Sequence, residues 1–106
     1  MSDALVQSAR FQWEDGLRRL DQRAGDAVAP WRERVIIAVE QELRRRVGTQ
    51  FSVADLAREH DRAGDWFMAI AGDVAPTHPE AWDTSVVLDA AFGRFARHAH
   101  DFHAGP

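Results

Sequence analysis

The sequence of 106 residues lacks cysteine, lysine, asparagine and tyrosine. The absence of cysteine excludes disulfides and thiolate metal sites. The chain also has no lysine for a Schiff base, no phenol for acid–base chemistry and no thiol nucleophile. Lysine, asparagine and tyrosine are encoded by A/T-rich codons, whereas arginine occurs thirteen times. This bias is typical of a high-GC bacterial genome, so a given arginine need not have been selected for recognition.

Long apolar runs are also missing. The longest, Val35–Val39 and Trp66–Ala71, are far shorter than the roughly 20 residues that span a bilayer. The first residues, Met1–Ala4, lack the basic and apolar regions of a secretory signal. We therefore expect a cytoplasmic protein that does not bind a membrane.

Sequence patterns of catalysis are absent as well. The seven glycines are scattered, so no phosphate-binding loop is visible, and no serine lies in a Gly-x-Ser-x-Gly elbow. The acidic residues of the second half have no fixed spacing that indicates a catalytic pair. The sequence predicts neither catalytic residues nor a cofactor, and we expect that the protein is not an enzyme.

The residues that are present favour a helical domain. Apolar residues make up 45% of the chain and include four Trp and six Phe, which is enough for one packed core. They recur at steps of three and four, the spacing of amphipathic helices. We predict an all-α fold, a single compact domain of four to five helices over residues 1–103, with a frayed tail at 104–106.

The first predicted helix covers about Asp3 to Arg23. Its apolar stripe runs through Leu5, Ala9, Trp13, Leu17 and Leu20, and Gly16 marks a bend or a close approach. Phe11 lies about 200° from Trp13 on the helical wheel. The side chain of Phe11 therefore either contacts a second neighbour or is exposed at a partner surface.

The second and last helices have clear boundaries or stripes. Pro30 suits the first turn of helix two, Gly48 suits its end, and its broad apolar surface predicts a central position. The last helix is the most regularly amphipathic, with apolar residues at Leu88, Ala91, Phe92, Phe95, Ala99 and Phe102.

The middle of the chain resembles the helix-turn-helix superfamily in a generic way. Ser52 followed by Asp55 is typical of a capping box, and a break near Gly64 predicts two short helices, Val53–His60 and about Ala63–Val74. The resemblance implies DNA binding. The second helix would, however, present Asp65 and Asp73 where a reading helix needs basic or amide side chains, and the net charge is −4.

Two functions follow from these residues. The first is a small bacterial adaptor or regulatory module without catalytic activity that binds a protein partner or self-associates through an apolar-plus-Arg helical face. Trp66 beside Phe67 is expected nearer the surface, because adjacent helix positions lie about 100° apart. The predicted contact residues are Phe11, Arg58, Arg62 and Trp66.

The alternative is a small DNA-binding transcription regulator of the helix-turn-helix kind. Its nucleic-acid contacts would be Arg44, Arg45, Arg46, Arg58 and Arg62. The run Arg44–Arg46 equally complements the dipole at a helix C-terminus. We therefore regard nucleic acid as a possible but disfavoured partner.

A metal site has one weak candidate. His100 and His103 are three residues apart and can share a helix face, whereas His98 points elsewhere. Histidines near a helix C-terminus are often only solvated. We therefore predict no metal ligand.

Overall fold

The structure is a computed structural model that describes residues 2–82 and 84–102. It contains five helices: α1 (Ser2–Asp21), α2 (Ala29–Val47), α3 (Val53–Arg62), α4 (Gly64–Val74) and α5 (Thr84–Ala96). A 3₁₀ turn, Pro79–Trp82, precedes α5, and no strand occurs in the described residues. The predicted all-α fold of four to five helices is confirmed. The predicted tail, 104–106, lies outside the described residues.

The helix boundaries agree with the local signals in the sequence. Pro30 lies in the first turn of α2, and Gly48 ends α2 with a φ of 74°, a conformation that favours glycine. At the start of α3 the Ser52 hydroxyl accepts a hydrogen bond from the Asp55 amide, and the Asp55 carboxylate accepts one from the Ser52 amide. This reciprocal pair is the predicted capping box.

The junction between α3 and α4 is shorter than predicted. The sequence predicted that the first helix ends at His60, before a break near Gly64, but Asp61 and Arg62 continue α3 and Gly64 begins α4. Only Ala63 separates the two helices, and its backbone stays in the right-handed helical region (φ −62°, ψ −28°). Helix α4 packs mainly on α2 rather than folding back on α3.

The most enclosed element is α5, which contacts α1, α2 and α3. The prediction that α2 is the central helix is wrong in this respect, since Ile37 of α2 is 44% exposed. Two glycines allow α1 and α5 to approach closely. A Cβ on Gly16 would lie 2.6 Å from Cβ of Asp89, and one on Gly93 would lie 2.7 Å from the Trp13 carbonyl oxygen.

The last apolar stripe outlasts its helix. Helix α5 ends at Ala96, yet Ala99 and Phe102 remain buried in the turns that follow. These turns lie against the start of α3, where the His100 amide donates to the Phe51 carbonyl at 3.3 Å. The C-terminal segment thus closes the core by irregular structure instead of a continuous helix.

Candidate functional site

The predicted basic residues mostly have acidic partners. Arg45 and Arg46 both donate to Glu42, at 2.5 and 2.8 Å, and Arg46 lies 3.5 Å from Glu59 of α3. Arg58 pairs with Asp55. The hydrogen bond from Arg45, and then that from Arg46, lower the pKa of Glu42. Of the five candidate arginines, Arg44 and Arg62 have no ion pair within the described residues and are exposed.

Trp66 is buried, which contradicts the prediction that it lies near the surface. The Arg46 guanidinium lies 5.0 Å over the indole of Trp66, and the ring of Phe92 stacks against it at 6.5 Å between centroids. Trp66 is 8% exposed and Phe67 is fully buried, so α4 places both adjacent aromatics in the core. Because Arg46 of α2 and Phe92 of α5 both lie against the indole, Trp66 is not available as an exposed contact residue.

The segment that resembles a helix-turn-helix has little positive surface at the places where such motifs contact DNA. The first amide of α3, on Val53, donates to the Asp101 carboxylate at 2.8 Å, and the capping box binds the Asp55 amide. These donors are therefore not free to bind a phosphate. The exposed side of α4 carries acidic, apolar and small residues, namely Asp65, Met68, Ala69 and Asp73.

Phe11 is the most exposed large apolar side chain among the described residues, at 77%. Helix α1 buries its opposite side, with Trp13 at 1% exposure. Phe11 is bordered by polar residues of the same helix, and together they line one depression in the surface. We call this surface the α1 stripe; its members are Gln7, Arg10, Phe11, Glu14, Asp15 and Arg18.

The charges of the α1 stripe differ in how they are paired. Asp15 binds Arg18, and it also binds Arg19 beside the stripe at 3.0 Å. Arg10 and Glu14 have no ion pair among the described residues. The Arg10 guanidinium instead lies 5.2 Å over the Phe102 ring, and its Nε is buried without a hydrogen-bond partner there. The α1 stripe thus has one cation and one anion without ion pairs in the described part of the chain, Arg10 and Glu14, beside the exposed ring of Phe11.

The sequence prediction included Phe11 but missed Arg10 and Glu14. Both lie on the same side of the helical wheel relative to Phe11, at about −100° and −60°. Their positions on the wheel therefore gave the signal that they border Phe11. The absence of local ion pairs, by contrast, depends on the folded structure.

A second polar cluster, partly exposed, joins three helices at the edge of the core. Asp89 of α5 shares one carboxylate oxygen between the Gln12 amide at 3.1 Å and Nε2 of His60 at 3.0 Å. Trp13 and Phe92 enclose the imidazole, with centroids 6.0 and 4.9 Å away. Ser8 borders the adjacent 90 Å³ cavity, but no hydrogen bond joins its hydroxyl to His60. The cluster links the helices and does not form a nucleophile–base pair.

The start of α2 borders a larger cavity of about 540 Å³. Arg32, 3% exposed, donates to the Asp26 carboxylate at 3.0 Å, and the Val28 amide donates to the same carboxylate at 2.8 Å. The bond from Val28, and then that from Arg32, lower the pKa of Asp26. Arg94 on the opposite wall donates two bonds to Glu33, at 2.5 and 3.1 Å. Both guanidinium groups therefore already bind a carboxylate of the same chain.

The weak metal candidate of His100 and His103 lies partly outside the described residues. His98 and His100 lie in the turns after α5, and no group of three histidine or acidic side chains is placed to hold a metal ion in the described part of the chain. His103 lies outside the described residues.

Of the helices described, none is both long and apolar enough to cross a membrane. Comparison with known proteins found no matching family model, curated protein or solved structure.

Proposed function

We propose that this protein is a non-catalytic interaction module whose contact face is the α1 stripe. The observation that carries the proposal is the 77% exposure of Phe11 at the centre of a 20-residue helix. Aromatic side chains, Phe among them, and arginine are enriched at the buried cores of protein interfaces, and Phe11 is bordered by Arg10 and Arg18.

The expected gain from contact is large for one residue. Removing a Phe side chain from water contributes about 1.5–3 kcal/mol. Such a gain corresponds to roughly a tenfold to hundredfold change in affinity. Phe11 contributes nothing comparable to the fold, because its ring faces solvent. Phe11 therefore remains in the predicted contact set, whereas Trp66 is removed from it because its side chain is buried.

Site-specific photo-crosslinking tests this function. The photoreactive p-benzoyl-phenylalanine is introduced at Phe11 in one variant and at Gln41, an exposed position of α2, in the control. Both are expressed in the native host, irradiated and analysed by mass spectrometry. We expect a defined adduct, with a second copy or with another protein, from position 11 and none from position 41. Equal or absent adducts at the two positions would contradict the proposal.

A further inference from the structure

We infer that the occupant of the α1 stripe is a second copy of the same chain, paired antiparallel through α1. This inference rests on the proposed function and specifies its partner. The two charges without ion pairs, Arg10 and Glu14, lie four residues apart, one on either side of Gln12 along the helix. They share one side of the helical wheel with respect to Phe11.

This arrangement is self-complementary. In a twofold symmetric pair, when residue i of one copy contacts residue j of the other, j also contacts i. A twofold axis passing at the level of Gln12, perpendicular to α1, brings Arg10 of each copy opposite Glu14 of the other. Both unpaired charges of each copy then gain an opposite charge in one step. Of the charged residues in the α1 stripe, only Arg10 and Glu14 have no ion pair within the described residues. No other alignment of the two helices therefore gives both of these charges an opposite charge at once.

The aromatic rings fit the same register. Phe11 is one residue from the axis, so the two Phe11 side chains lie two residues, or about 3 Å, apart along the paired helices. Each ring can therefore cover the other at the centre of the contact. The charge pairs lie to one side of the rings and fix the alignment, which is the usual role of charges at the rim of an interface.

A charge exchange tests the register. Glu14→Arg places four like charges at the contact of its own dimer, and Arg10→Glu does the same with acidic groups. A mixture of the two variants restores both opposite-charge pairs. Glu80→Arg makes the same charge change on an exposed residue of the 3₁₀ turn and serves as the control. Sedimentation velocity at low ionic strength, where surface charges are least screened, measures association.

We expect each variant alone to associate about tenfold more weakly than the native chain, and the mixture to regain native association. The control variant should associate like the native chain. Because Arg10 stacks on Phe102, a thermal melt first establishes whether Arg10→Glu is folded. If Arg10→Glu is unfolded, the test rests on Glu14→Arg alone. This variant should associate more weakly than the native chain at low ionic strength, and its association should strengthen as salt is added.

Native association by Glu14→Arg, or no gain on mixing two folded variants, would overturn the inference. A native chain that stays monomeric at every concentration would also overturn it. The proposed function is tested independently of the identity of the partner. If position 11 crosslinks to a different protein while the native chain remains monomeric, the contact face stands and the second copy as occupant does not.

Discussion

At the residue scale, the two aromatic residues of the predicted contact set, Phe11 and Trp66, lie in opposite environments. Phe11 faces solvent, whereas Trp66 lies between the Arg46 guanidinium and the Phe92 ring. The sequence places Trp66 beside Phe67 but cannot show which long-range neighbours cover each ring. Arg46 lies twenty positions before Trp66 and Phe92 twenty-six after it, so local periodicity carries no information about either contact.

Alanine substitutions should separate these two residues. We expect Trp66→Ala to lower the free energy of unfolding by about 3–5 kcal/mol, because it leaves a cavity among buried groups. Phe11→Ala should change it by less than about 0.5 kcal/mol, as is usual for an exposed side chain. Urea unfolding followed by circular dichroism measures both. A Trp66→Ala variant as stable as the native protein would show that the indole is not part of the core.

At the scale of elements, local signals in the sequence predicted several boundaries. The capping box of Ser52 and Asp55, the position of Pro30 and the glycine at the end of α2 depend on nearby backbone groups alone, and all three are present. The end of α5 at Ala96 depends on the start of α3. The His100 amide donates to the Phe51 carbonyl, and the Val53 amide donates to the Asp101 carboxylate. The apolar pattern alone therefore predicted too long a helix.

The close approach of α1 and α5 depends on the lack of a side chain at two glycines. We expect Gly16→Ala and Gly93→Ala each to lower the free energy of unfolding by about 1–3 kcal/mol, because an added methyl group would overlap backbone atoms of the opposite helix. Gly72 of α4 is the matched control, since a Cβ there would meet nothing within 4 Å. Gly72→Ala should be neutral or stabilise by up to about 1 kcal/mol.

Chemical denaturation distinguishes packing from helix propensity. If Gly16→Ala and Gly93→Ala stabilise the protein as much as Gly72→Ala does, the helices are not held at the distance that the structure shows.

At the scale of the whole molecule, several carboxylates are stabilised in their charged form. The amide of Ser52 lowers the pKa of Asp55, that of Val28 lowers the pKa of Asp26, and the hydrogen bond from Arg94 lowers the pKa of Glu33. Burial raises the pKa of Glu40, and this effect has the opposite sign. Lowered pKa values outnumber the raised one, so acid should favour the unfolded chain.

Stability should therefore fall on acidification. A carboxyl with a lowered pKa stabilises the fold above its unfolded value of about 4, and this contribution is lost as the pH drops through the folded pKa. We expect the midpoint of urea unfolding to decrease steadily below about pH 5. Asp26→Asn should reduce the slope, because one of the contributing carboxyls is removed. A midpoint that is constant or rises on acidification would contradict this balance.

The candidate function follows from the whole surface rather than from a motif. Periodicity predicted that Phe11 lies away from the core side of α1, and the structure places it at the surface. Among the described residues, the other exposed large apolar side chains are Ile37 and Met68. The exposure of Ile37 was not predicted, since it depends on how α2 packs against the remaining helices.

Pairing of two copies through the α1 stripe can be followed in the native protein itself, by recording backbone amide resonances over a wide range of protein concentration. Ile37 and Met68, which are also exposed and apolar, serve as internal controls within the same molecule. If two copies pair through α1, increasing concentration will shift the amides of residues 7–18 on the side of Phe11 and leave those around Ile37 and Met68 unchanged. An absence of shifts at every concentration, or shifts centred on Ile37 or Met68 with the amides of α1 unchanged, would overturn the pairing.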